Sequence, residues 1–132
     1  MSLGRNRIKN KMIQLRTMLN PADNSGAKKL MVIGMSTKIG KFATLADIVN
    51  CVVEKADPNG VVADKEKVKV LVVRCKKEVR RRDGTYVRFD DNAGVVIDKQ
   101  GLPRGTRILG PIAREIKEKG YTKIASLARE VV

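Results

Sequence analysis

Strands first and helices last: the sequence predicts an α+β chain, mainly β, built on a small closed barrel with two short helices at its C-terminal end. Three observations predict it. Five aliphatic, β-branched runs, each too short for a buried helix, fill the first hundred residues. Clusters of Pro, Asn, Asp and Gly separate them. Beyond residue 110 the apolar spacing changes from two residues to three and four. A chain of 132 residues suits one domain with one core, and with aromatics at 3% and no Trp that core is aliphatic.

The first run, residues 12 to 19, alternates Ile13, Leu15 and Thr17 with Gln14 and Arg16, the period of a half-buried strand. The segment NPADNSG then turns the chain, and residues 28 to 35 resume as a second strand with Gly34 as a bulge or close approach. Residues 47 to 56 and 68 to 75 read as strands three and four, joined through DPNG, whose Pro58 and Gly60 fit a type I turn. Residues 93 to 99 form a further strand before the loop QGLPRG. Pro111 suits the first position of a helix in which Glu115 and Lys119 are an i,i+4 ion pair and Gly120 is the stop. A second helix starts with Thr122 as N-cap and carries Ile124, Leu127, Ala128 and Val131 on one face.

One stretch remains, EVRRRDGTYVRF at 78 to 89. Asp83-Gly84 is a strong hairpin signal. A two-residue turn there would pair Arg82 with Thr85, Arg81 with Tyr86, Arg80 with Val87 and Val79 with Arg88. Alternation would then send Arg80 and Arg82 to one face and Arg81 and Arg88 to the other, leaving neither face fit for a core. The ribbon is expected to project, and Tyr86 beside Arg81 to support the guanidinium by a cation-π contact. A solvated edge kept soluble by its charge is the plainer reading.

Charge says what would surround such a ribbon. Lys and Arg outnumber Asp and Glu 28 to 14, a net +14 that favours a polyanionic partner. The excess is local: residues 1 to 16 carry five bases and no acid, and residues 76 to 88 carry six bases against Glu78 and Asp83. No run approaches the ~18 apolar residues of a spanning helix, so nucleic acid is favoured over membrane. Guanidinium forks match phosphate oxygens.

Catalytic constellations fail. There is no His, and Cys51 and Cys75 form no CxxC, which excludes a zinc site and leaves two core thiols of a reducing compartment. GMSTKIGK has five residues between Gly34 and Gly40 and Phe42 after Lys41, wrong in spacing and ligand for a phosphate-binding loop. Asp90 and Asp91, neighbours on an extended chain, point to opposite faces. Ser25 lacks a base. No cofactor is expected, and the chain reads as a non-enzyme; a nuclease using Asp90 and Asp91 is the enzyme alternative. A free barrel module for single-stranded nucleic acid is another, although Phe42, Tyr86, Phe89 and Tyr121 are sparse as stacking platforms.

In combination, MIQ with TML, ADNSGAKKLM, VVR, RRRDGTYVRFDDNA, PRGTRILGPIARE and KIASLAREVV resemble the universal large-subunit ribosomal protein fourteen family in its bacterial and organellar form, over Met12 to Val132. The resemblance implies a five-stranded β-barrel with a projecting β-ribbon and two short C-terminal helices. It implies large-subunit ribosomal RNA as partner, small-subunit RNA at an intersubunit bridge, ribosomal proteins three and nineteen as neighbours, and no membrane. By motif, Asn24, Ser25 and Gly26 would shape an RNA-facing loop beside Lys28 and Lys29, and Arg80, Arg81 and Arg82 would clamp phosphates, with Arg88 and Arg104 completing the set. Thr106, Arg107 and Lys123 match the surface that family members present to a ribosome silencing factor.

The organisation expected is a basic extension over 1–11, then one domain over 12–132, with barrel and ribbon (78–89) to residue 110 and a helical segment over 111–132. In the extension Arg5, Arg7, Lys9 and Lys11 are candidate RNA contacts. The family usually starts at the position of Met12, and ADIV here replaces a Gly before the acid. The extension and this divergence lean the location toward an organelle ribosome over a bacterial cytoplasmic one.

Overall fold

The computed structural model describes residues 13–35 and 42–132. Among the described residues seven strands and two helices follow in the order β1 (Met18–Pro21), β2 (Ala27–Met35), β3 (Ile48–Ala56), β4 (Lys67–Arg74), β5 (Val79–Arg80), β6 (Tyr86–Val87), β7 (Ala93–Ile97), α1 (Arg114–Glu118) and α2 (Thr122–Leu127). Strands β1, β2, β3, β4 and β7 close a barrel through antiparallel pairs and one parallel junction between β7 and β1. The five-stranded barrel and the two short helices stand as the sequence implied.

Strand β4 explains why the barrel needs the helices. Val68, Val70 and Val72 enter the barrel core with Leu19, Leu30, Val32, Val53 and Val96. Leu71 and Val73 point the other way, into a second cluster with Val95, Ile97, Ile112, Ile116 and Ile124. Residues 70 to 73 are therefore buried on both faces, which is why they read as an unbroken apolar run. Each fully buried Val or Leu stabilises by about 1.5–3 kcal/mol relative to exposure, so the helices are held mainly by this second cluster.

Local departures have local causes. The expected first strand is broken over residues 14–17, so that β1 begins at Met18: Thr17 N–H donates to the Gln14 carbonyl (3.0 Å), Arg16 takes φ +69°, and Leu15 is left exposed; the expected start at residue 12 lies outside the described residues. Gly34 does sit at a register shift between β2 and β3. The Asp57–Gly60 turn closes with the Gly60 amide on the Asp57 carbonyl (3.0 Å).

Pro111 does not open α1. Ile112 is drawn into extended pairing with the returning C-terminal segment, its N–H on Glu130 O (3.1 Å) and its carbonyl taking Val132 N–H (2.9 Å), while Ala113 N–H reaches Val73 O (3.1 Å). The same pairing ends α2 at Leu127, before the last turn that the periodicity predicts, and Tyr121, not Thr122, occupies the N-cap. Gly120 does stop α1: its N–H bonds Lys117 O (3.1 Å) and that of Tyr121 bonds Ile116 O (3.2 Å), a Schellman pair.

Candidate nucleic-acid interface

The ribbon's register differs from the two-residue turn by one step. Val79 pairs with Val87 and Arg80 with Tyr86. Arg81 N–H donates to Thr85 O (2.8 Å) and Gly84 N–H to Arg81 O (3.0 Å), so the loop is Arg82, Asp83 and Gly84, with Gly84 at φ +88°. Glycine in this left-handed position completes a three-residue hairpin loop. Thr85 locks the tip, donating its Oγ1 (2.6 Å) and its amide (3.0 Å) to Asp83 Oδ1. Those bonds, the side-chain one first, hold the Asp83 carboxyl below its ordinary range, with Arg114 and Arg81 adding to the effect.

That step changes the faces. Cross-strand partners share a face. Val79 and Val87 pack with Phe89 against the barrel core. Arg80 and Tyr86 share the outer face, and alternation adds Arg88. Arg80, Arg82 and Arg88 are exposed, and Tyr86 is 64% exposed. The ribbon is thus charged on one face, not two, and Tyr86 neighbours Arg80 and not Arg81.

Arg81 goes inward. Its Nη2 lies 3.0 Å from Glu115 Oε1 on α1 and 2.6 Å from the Val132 carbonyl, and its Nε 3.2 Å from Glu115 Oε1; its side chain is 15% exposed. Glu115 therefore pairs across 34 positions, not with Lys119, which lies 3.6 Å from Asp47. Arg104 is similarly engaged, with Nη1 at Glu66 Oε2 (2.8 Å) and Nη2 at Val61 O (2.9 Å). Arg104 and the Ala63 amide together hold the Glu66 carboxyl below its ordinary range, the Arg104 hydrogen bond first.

The loop residues act on backbone shape. Asn24 Oδ1 accepts the amides of Thr106 (2.7 Å) and Arg107 (3.0 Å), and Asn24 Nδ2 donates to Thr106 Oγ1 (2.8 Å). Ser25 is fully buried, its Oγ donating to Asp23 Oδ1 (2.9 Å). Gly26, at φ +98°, passes so close to Gly60 that a Cβ would stand 2.6 Å from its Cα. Burial pushes the Asp23 carboxyl up, opposed by bonds from Ser25 and Val96.

Lys28 and Lys29 are exposed on β2, and Lys29 faces Lys55 of β3, a like-charge pair that an external anion would relieve. Thr106, Arg107 and Lys123 are exposed. Arg5, Arg7, Lys9 and Lys11 lie outside the described residues. Arg114 was not among the sequence candidates, yet it lines one cleft with Arg80 and Arg82; no local signal marks it, because only the fold brings α1 to the ribbon.

Asp91 is taken up by Arg74 (Nε to Oδ1, 3.0 Å) and Asn20 (Nδ2 to Oδ2, 3.2 Å), while Asp90 is exposed. Among the described residues no His, Cys, Asp and Glu cluster could hold a metal. Cys51 and Cys75 are buried free thiols; burial pushes Cys51 up to about 12 and raises Cys75.

The family described as ribosomal protein L14p/L23e matches residues 12–132. The chain is 55% identical over 121 residues to the large ribosomal subunit protein uL14 of Aquifex aeolicus (strain VF5), covering 92% of this chain and 100% of the relative. Identity to that of Aquifex pyrophilus is also 55% with the same coverage, and to that of Petrotoga mobilis (strain DSM 10674 / SJ95) 54%, over 91% and 99%.

Proposed function

The chain belongs to the ribosomal protein L14p/L23e family, and from that premise we propose that the outer face of its ribbon binds large-subunit ribosomal RNA through backbone phosphates. The protein is a structural constituent of the large ribosomal subunit and not an enzyme, as its family and relatives are. The relatives are bacterial and lend no support to the lean toward an organelle.

One observation carries the RNA reading. Three guanidinium groups, Arg80, Arg82 and Arg88, stand exposed on a ribbon whose opposite face is already seated on the core. A solvated edge could be kept soluble by Lys or Glu; forked donors at the tip favour phosphate. Arg114 extends the patch across the cleft, Lys28 and Lys29 add charge elsewhere on the single domain over 12–132, and Arg5, Arg7, Lys9 and Lys11 of the extension over 1–11 add to the net charge. Asn24, Ser25 and Gly26 support it by holding backbone, whereas Arg81 and Arg104 are structural first.

The resemblance supports further partners: small-subunit RNA at an intersubunit bridge, ribosomal proteins three and nineteen, and a ribosome silencing factor at Thr106, Arg107 and Lys123. Exposure of those three side chains, with the 106 and 107 amides fixed by Asn24, suits a protein-facing surface. The test of the whole reading is cosedimentation: the protein should stay with large subunits through a high-salt wash, and release into the supernatant with intact subunits would contradict it.

A further inference from the structure

Away from the ribbon, a trough of about 610 Å³ crosses the outside of the barrel over β2, β3, β4 and β7. Paired residues Gly34, Asn50, Lys69 and Ile97 run along it from strand to strand. Gly34 adds no side chain to its floor; a Cβ there would lie in ordinary contact with the Asn50 side chain, 3.6 Å from Nδ2. Its apolar surface comes from Ile33, 41% exposed, with Val68 and Ile97 beneath. Lys67, Lys69 and Lys99 stand exposed at the rim and pair with no acid among the described residues. The acid that lines it, Asp98, is turned onto the amides of Gln100 and Leu102 (both 2.9 Å).

We propose that this trough docks an acidic, extended protein segment that sets an aliphatic side chain between the lysines. Size fits: three gaps of ~4.8 Å between four strands give ~14 Å, the span of about four extended residues at ~3.4 Å each. Chemistry selects the occupant. Among the described residues the lining carries no aromatic ring on which an unstacked base would sit, and its free cations are ammonium groups, not phosphate-matching forks. A second copy of this chain, at +14, would be repelled. Exposed Asn50 offers an amide to the segment's backbone and pairing carboxylates satisfy the rim.

The probe is acetyl-Asp-Ile-Glu-Leu-Asp-amide, titrated into the isotopically labelled isolated protein and followed by amide shifts. Saturable shifts centred on Gly34, Asn50, Val68 and Lys69 are expected. The Asn/Gln analogue should bind at least tenfold more weakly, as should the peptide to Lys67→Glu/Lys69→Glu/Lys99→Glu protein, or to Lys69→Gln protein if the triple variant does not fold. Shifts centred on the ribbon, no saturation at millimolar peptide, or hexauridylate filling the same amides at lower concentration would overturn it. Cosedimentation scores the ribosomal reading separately, so either can fail alone.

Discussion

Arg81 and Arg82 are neighbours in the chain and opposites in the fold. Arg81 lies between Glu115 and the Val132 carbonyl, joining the ribbon to α1 and the C-terminal segment; Arg82 stands in solvent at the tip. The same division recurs among the described residues. Arg74 and Arg104 each hold an acid and a carbonyl, whereas Arg80 and Arg88 are exposed. A guanidinium's role is thus decided by whether the fold sets an acid within its reach, not by the motif around it. In this protein the inner arginines build the platform, and the outer ones stand exposed, as the proposed phosphate contacts require.

Removing an inner arginine should break that division most visibly. Arg74 holds Asp91 and the Leu109 carbonyl (2.9 Å) with little exposure, so Arg74→Ala should lower unfolding free energy by about 3 kcal/mol in a denaturant titration. A loss no larger than a surface substitution would remove the contrast. Arg81→Ala should cost about 2 kcal/mol and also speed amide exchange at Val79 and Val87, because the ribbon loses its tie to α1.

A smaller effect bears on the platform alone. Ala46 occupies φ +65°, a region that favours Gly; Ala46→Gly should relieve strain but lose a buried methyl, leaving a net gain of at most about 1 kcal/mol. Unchanged or lower stability would mean that the methyl packing wins.

The smallest effect is seen only as a difference in melting temperature across pH. Burial raises the Asp23 carboxyl above its unfolded value near ~3.9, so the folded state binds the proton more tightly. Its contribution to stability is present below that value and is lost as pH rises through the folded pKa. The melting temperature of Asp23→Asn relative to wild type should therefore climb between pH 3.5 and 7; a flat difference would deny that burial dominates.

Much of this was legible in sequence. Strands β2, β3, β4 and β7 follow their β-branched runs, and Gly34, the Asp57–Gly60 turn and the Gly120 stop fall where local chemistry places them. The ribbon was legible as a hairpin but not in register. Asp-Gly serves both a two-residue turn and the last positions of a three-residue loop, and the one-step choice is made by packing Val79 and Val87 onto the barrel. Arg81 could not be assigned from its neighbours because its acid lies 34 residues on. Likewise Glu115 satisfies the spacing rule with Lys119 and ignores it for a less exposed partner. Pairing of Ile112 with the C-terminal segment overrides helix signals at both Pro111 and Ala128.

The division between inner and outer arginines is tested most directly by the salt dependence of binding to large-subunit ribosomal RNA. With ~6–8 phosphates neutralised, log affinity should fall against log salt with a slope of roughly −4 to −7. In Arg80→Ala/Arg82→Ala/Arg88→Ala protein the slope should shrink by about 2–3 while the melting temperature stays within error of wild type. An unchanged slope, or a variant that melts early, would contradict the account.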